Sequence, residues 1–167
     1  MPDISLRDAH PKSRLAIYLN DHLAGAAAGR ELARRAAANN RGNEYGTALE
    51  QIVREIEEDA ETLKELMDRL DIQPDRVKLA LGWTSEKVGR LKLNGQVLGY
   101  SPLSRLIELE GLMLGVSGKL ALWQGLLRVF EDPRLRGIDF TELRDRARRQ
   151  RRTLEELRRK AAVEARF

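Results

Sequence analysis

Two imidazoles are present in this 167-residue chain, His10 and His22, and no cysteine accompanies them. His10 precedes Pro11 in a polar opening segment, which leaves His22 as the one imidazole on a periodic apolar row. Carboxylates are plentiful, but their spacing restricts their use. Glu55, Glu58 and Glu61 follow one another at intervals of three with no histidine in the series. Glu110, projected at ~100° per residue, falls beside Leu103, Ile107, Leu114 and Ala121. Gln150 interrupts an otherwise apolar row. An inward carboxylate or imidazole needs a partner, because an isolated buried charge is very costly. His22, Glu110 and Gln150 are therefore expected to form a small interior polar cluster, with Gln124 or Tyr18 as additions. Such a cluster would either satisfy a core histidine, with Glu110 paired to an arginine, or hold a metal or small molecule. An all-oxygen cation site needs several inward carboxylates, and Glu110 is the one good candidate.

Other chemistries find less support. There is no Walker-type phosphate loop, H-E-x-x-H, G-x-S-x-G or dinucleotide fingerprint. A Ser-His-Asp arrangement would have to use His22, in the middle of an Ala-rich helical row. No catalytic residue, cofactor or metal ligand is assigned, and the balance leans away from an enzyme.

Arginines form the second group. Between Pro133 and Phe167 there are 12 Lys/Arg against 6 Asp/Glu, so the formal net charge of +4 is concentrated at that end. Arg144, Arg148, Arg151, Arg152 and Arg159 cluster beside the apolar row of the last helix. They are either a solvated face, supported by Glu155–Arg159 and Glu156–Lys160 at i,i+4, or a contact for an anionic partner. That partner would be nucleic acid or an acidic protein, and against the former no aromatic residue interleaves and no reading-helix motif is present.

Four long helices must position these residues. Leu15, Leu19, His22, Ala26, Gly29, Ala33 and Ala36 recur at alternating spacings of four and three, which predicts a helix over 13–38. The Asn- and Gly-rich stretch 39–46 turns the chain. Leu49, Val53, Ile56, Ala60, Leu63, Met67 and Leu70 predict a second helix over 47–70, antiparallel to the first. The segment 71–100 is broken by Pro74, Gly82, Gly89, Gly95 and Gly99 and is expected to hold two short helical pieces, one opening at Pro74 and one from Thr84 to about Leu93. Ser101-Pro102 opens a helix over 102–131. Asp139 and Glu142 have capping-box spacing and open a last helix over 140–162. The third helix is apolar on several sides, with Leu112, Val116, Trp123, Leu126 and Phe130 off the Leu103 row; the crossover or a homodimer interface would cover it. Gly111, Gly115 and Gly118 on it, with Gly25 and Gly29 on the first helix, suggest a close helix approach or room for a ligand.

Two antiparallel hairpins joined by a crossover of roughly 30 residues, long enough to traverse a bundle, give an all-α fold of ferritin-like layout. The chain resembles the ferritin-like superfamily through this layout, and the strings 18–25 (YLNDHLAG) and 103–111 (LSRLIELEG) resemble an uncharacterised bacterial family with that fold. The resemblance implies a four-helix bundle. Active members hold two irons with a Glu from each of two helices and an E-x-x-H pair from each of the other two, and two histidines, one outside the helices, cannot supply that set.

Length and composition predict a single domain over 1–167. Lack of cysteine favours the cytoplasm, and residues 1–11 lack the order of a secretion signal. The uncharged stretches Gly111–Gly118 and Leu120–Leu127, split by Lys119, are far short of the ~20 residues of a membrane span. A non-catalytic interaction or scaffold protein with an unknown protein partner is the leading functional expectation.

Overall fold

The computed structural model describes residues 11–76, 79, 99–129 and 132–166. Four long helices account for most of them: α1 (Pro11–Asn39), α2 (Glu44–Arg69), α3 (Pro102–Val129) and α4 (Phe140–Ala165). A single 3-10 turn at Pro133–Leu135 lies between α3 and α4. Side-chain caps set several of the ends. Asn43 accepts from the Gly46 N–H and starts α2 three residues before Thr47. Ser101 Oγ accepts from the Ser104 N–H, and Asp139 accepts from the Glu142 N–H, each occupying a donor that the first helical turn leaves orphaned. The helical pieces expected within 71–100 fall on residues 77–98, which apart from Leu79 lie outside the described residues.

The helices pair as α1 with α2 and α3 with α4, and the two pairs meet through α1 against α3 and α2 against α4. Polar contacts at the two ends fix their directions. At one end Arg69, finishing α2, donates to the carbonyls of Arg134 and Arg136 ahead of α4, while Asn20 near the start of α1 bonds to the Gln73 carbonyl and the Asp75 N–H. At the other end the fully buried Asn40, just beyond α1, donates to Tyr100 Oη at 2.8 Å and accepts from Arg105 Nε at 2.7 Å. Arg105 also pairs with Glu164 near the end of α4 and stacks over the Tyr45 ring at 4.4 Å. The α3 start therefore lies at the α1–α2 turn, and the chain between α2 and α3 crosses the full length of the bundle. The order is up, down, down, up, with one long crossover.

The core divides into two apolar clusters. One, at the α1 start, includes Leu19, Leu23, Leu63, Met67, Trp123, Leu126 and Leu143. The other, toward the α1–α2 turn, includes Ala33, Leu49, Ile56, Leu109, Leu112, Val116 and Leu154. Between Ile56 and Leu63 lies Asp59, between Val116 and Leu120 lies Lys119, and between Ala147 and Leu154 lies Gln150. These three polar residues form a layer across the middle of the bundle.

The inward face of α3 differs from the expected one. Leu106, Leu109, Leu112, Val116 and Trp123 are buried, whereas Leu103 and Leu114 are exposed. Because α3 is apolar nearly all round, several rows satisfy helical periodicity, and packing selects the one that carries Lys119 inward and turns Glu110 out.

Candidate functional site

The central polar layer is closed by short contacts. Lys119 Nζ lies 2.5 Å from Asp59 Oδ2 and 2.6 Å from Gln150 Oε1. Gln150 Nε2 donates to Glu55 Oε2 at 2.8 Å. Arg146 pairs with Glu58, and its Nε lies 3.3 Å from Asp59 Oδ1, within ion-pair range but without hydrogen-bond geometry. Asp59 and Gln150 are each 2% exposed. Burial pushes the Lys119 ammonium below its usual range, and the facing Asp59 carboxylate opposes that shift. Helical register explains the convergence. Asp59 is the polar member of the row Ile52, Ile56, Leu63, Leu66 and Leu70, and Lys119 sits three residues past Val116 and four before Trp123.

This layer does not fit a metal ion. Its carboxylates are already matched by two cationic side chains, Lys119 and Arg146, which would repel a third positive charge. Among the described residues no group of three or more His, Asp and Glu could hold a metal.

Against the layer, between α1 and α3, lies a cavity of about 130 Å³. It is lined by Asp59, Lys119, Trp123 and His22, by apolar side chains, and by Gly25 and Gly29 of α1 and Gly115 and Gly118 of α3. Small residues create the opening. Among the described residues, a Cβ added at any of these four glycines would meet nothing within 4 Å. The middle of α1 is accordingly half-buried, while its ends, at Leu19–Leu23 and Ala33–Ala37, are packed. The indole N–H of Trp123, a residue 1% exposed, has no acceptor among the described residues.

The expected cluster of His22, Glu110 and Gln150 is not assembled. Gln150 is buried in the central layer. His22 is half-buried on the cavity wall, its ring edge-on to Tyr18 with centroids 4.6 Å apart. Burial lowers the His22 pKa from its ordinary value, against the pull of Asp21. Glu110 points outward rather than into the core: its side chain is 50% exposed and pairs with Arg158 at 3.8 Å, the arginine pairing that was one of its two expected readings. It lies one position beyond Leu109, which takes the core site. Gln124 is also exposed. Asp59 and Lys119, the charged residues that do face inward, were absent from the expected cluster. The signal for them was present, since Lys119 is the single charge between Gly111 and Leu127.

The arginines of α4 lie along its outer seam with α3. Arg144 and Arg148 both pair with Asp145, and Arg159 pairs with Glu155. Arg151 and Arg152 have no acidic partner among the described residues, nor does Arg128 across the seam on α3. Two shallow depressions follow this seam, one lined by Arg128, Arg144 and Arg148 and the other by Arg151, Arg152 and Arg159 together with Glu155 and Glu156.

Comparison with protein-family models, curated proteins and solved structures finds no match to this chain. Among the described residues, no helix is long and apolar enough to cross a membrane.

Proposed function

We propose that the chain is a non-catalytic interaction protein built on a ferritin-like bundle, and that the arginine-lined seam between α3 and α4 docks an acidic protein partner. The observation that carries this reading is the placement of Arg128, Arg151 and Arg152 on one exposed seam without acidic partners among the described residues. Arg34, Arg69 and Arg146 elsewhere on the bundle are occupied by neighbouring carboxylates, and Arg41 and Arg136, which also lack an acidic partner among the described residues, stand singly at the helix ends rather than along one seam. Unneutralised arginines on a concave strip attract carboxylates and provide geometry for bidentate pairing. Among the described residues the seam carries no aromatic side chain to stack a base, which favours an acidic protein segment over nucleic acid. The up-down-down-up order with one crossover supports the ferritin-like kinship. The absence of cysteine supports a reducing compartment such as the cytoplasm.

Binding of the full chain to a fluorescent poly-glutamate peptide, followed by anisotropy at low and physiological salt, tests this reading. The expected result is saturable binding that weakens with salt and is lost in the R128E/R151E/R152E variant, whose thermal unfolding is unchanged because these side chains are exposed and unpaired. Equal binding by wild type and variant would remove the seam as the docking surface. Tighter binding to a single-stranded oligonucleotide of equal charge would change the partner class.

A further inference from the structure

The seam between α3 and α4 restricts the shape of what it docks as well as the charge. Resting on the docking function proposed above, we infer that the docked segment is an acidic α-helix, laid lengthwise along the seam with carboxylates on one face over about three turns. Both walls of the seam are long helices whose backbone hydrogen bonds are internal. An extended segment laid there finds no backbone ladder to join, whereas a helix arrives with its own backbone groups already paired. The walls also have helical period. On α3 the bordering row is Met113, Ser117, Gln124 and Arg128, at spacings of four, seven and four, and on α4 it is Arg144, Arg148, Arg151 and Glu155, at four, three and four. Residues so spaced stay on one side of a helix. The two rows therefore run side by side as ridges, and the channel between them suits a third helix packed at an interaxial distance of about 8–10 Å.

The positions of the free charges set the pattern on that helix. Lys119 of α3 is bonded to Gln150 of the antiparallel α4, which fixes the level at which the two helices face each other. Arg128 then stands about ten helical positions, ~15 Å, along the seam from Arg151 and Arg152. Residues eleven apart on an α-helix share a face and are ~16.5 Å apart, so carboxylates at i and i+11 reach both groups. Between them Arg144 and Arg148 share the single carboxylate of Asp145, which leaves a positive charge for carboxylates at i+4 and i+7. Beyond Arg152 the sign changes. Glu155 is already paired with Arg158 and Arg159, and Glu156 is exposed without a cationic partner among the described residues. The acidic face of the docked helix must end at that level. A nucleic-acid strand, charged at every residue, would carry phosphates on past Glu156, while a helix can stop its acidic face or change its sign there.

The probe is a labelled alanine- and glutamine-based peptide with glutamates at i, i+4, i+7 and i+11, titrated with the full chain and followed by anisotropy at low salt. Two control peptides keep the same number of glutamates. One spreads them round the helix, and the other has a central proline that breaks it. The one-faced peptide should bind at least ~tenfold more tightly than either control. R128E should weaken that binding. Replacing the first or the last glutamate of the peptide by lysine should restore binding to R128E in one case and not in the other, because Arg128 faces one end of the helix; recovery also shows that the variant is folded. The inference is overturned if either control binds as tightly as the one-faced peptide, if neither lysine peptide recovers binding to R128E, or if a single-stranded oligonucleotide of equal charge binds more tightly. Equal binding of poly-glutamate and all three peptides, lost in R128E/R151E/R152E, would remove the helix and leave the docking function standing. Failure of every acidic probe would remove both.

Discussion

Replacing Lys119 by Met preserves side-chain length and removes the charge from the middle of the bundle. Asp59, 2% exposed, then keeps one cation, Arg146, at 3.3 Å without hydrogen-bond geometry, and Gln150 Oε1 loses its donor. Removing one member of a buried ion pair costs about 3–5 kcal/mol, because the survivor remains desolvated. In a chain of this size that lowers the unfolding temperature by roughly 6–20 °C, at 2–4 °C per kcal/mol. The second variant, K119M/D59L, removes both charges and leaves the unpaired Gln150 oxygen as the main cost, about 1–3 kcal/mol. A third, K119M/D59L/Q150L, makes the layer apolar. The partner it strands is Glu55 Oε2 on a half-buried side chain, so stability returns to that of the wild type or rises above it, by up to ~4 kcal/mol. Urea unfolding monitored by circular dichroism, with the slope checked for constancy, orders the three variants. The reasoning fails if K119M lies within ~1 kcal/mol of wild type, which would mean that water reaches the pair. It also fails if K119M and D59L are additive, since contacting charges must couple.

Two further outcomes follow from local geometry. A Cβ at Gly46 would stand 2.2 Å from the Asn40 carbonyl oxygen, a backbone atom that cannot move aside, so G46A should destabilise by roughly 1–3 kcal/mol through overpacking; G118A, where a Cβ meets nothing within 4 Å, should stabilise by about 1 kcal/mol through helix propensity, and thermal unfolding of the pair reads both signs. The lowered pKa of His22 means that the unfolded chain binds its proton first as pH falls below about 6.5. Stability is therefore lost on acidification from that point down through the folded value, and H22Q should flatten this part of a stability-versus-pH profile; an unchanged slope in H22Q would place the titrating group elsewhere.

The sequence was most readable where each helix has one apolar face. The row that placed Gln150 inside α4 is unambiguous, because charged residues occupy most other positions of that helix. Asp59 was equally placed by spacing. Spacing alone does not single it out, because α2 offers two nearly equivalent rows, one through Ala60 and one through Asp59, and the former is wholly apolar. On α3 the pattern cannot discriminate. With Leu, Ile, Val, Met, Trp and Gly on every side, rows through Leu103–Leu114 and through Leu109–Trp123 are equally good helices. The choice is made by contact with the small residues of α1 and the longer ones of α4, which is tertiary information.

The middle of the bundle shows why periodicity alone misplaces a charged residue. Apolar residues can exchange rows at a cost of about 1 kcal/mol or so, but Lys119 cannot be inward unless an acid and an acceptor are waiting at the same height on other helices. Asp59 on α2 and Gln150 on α4 meet that condition together, since each interrupts the apolar row of its own helix midway along the bundle. A polar residue breaking an apolar row on one helix is ambiguous by itself. Three such breaks on three helices at one level, with charges that cancel, specify the register in which those helices pack. Shifting α3 by one turn, ~5.4 Å, would separate Lys119 from both partners and place Val116 or Trp123 against Asp59. The layer thus opposes sliding of the helices in a way that leucine-on-leucine contacts do not, a role for which buried polar residues have precedent in helical bundles.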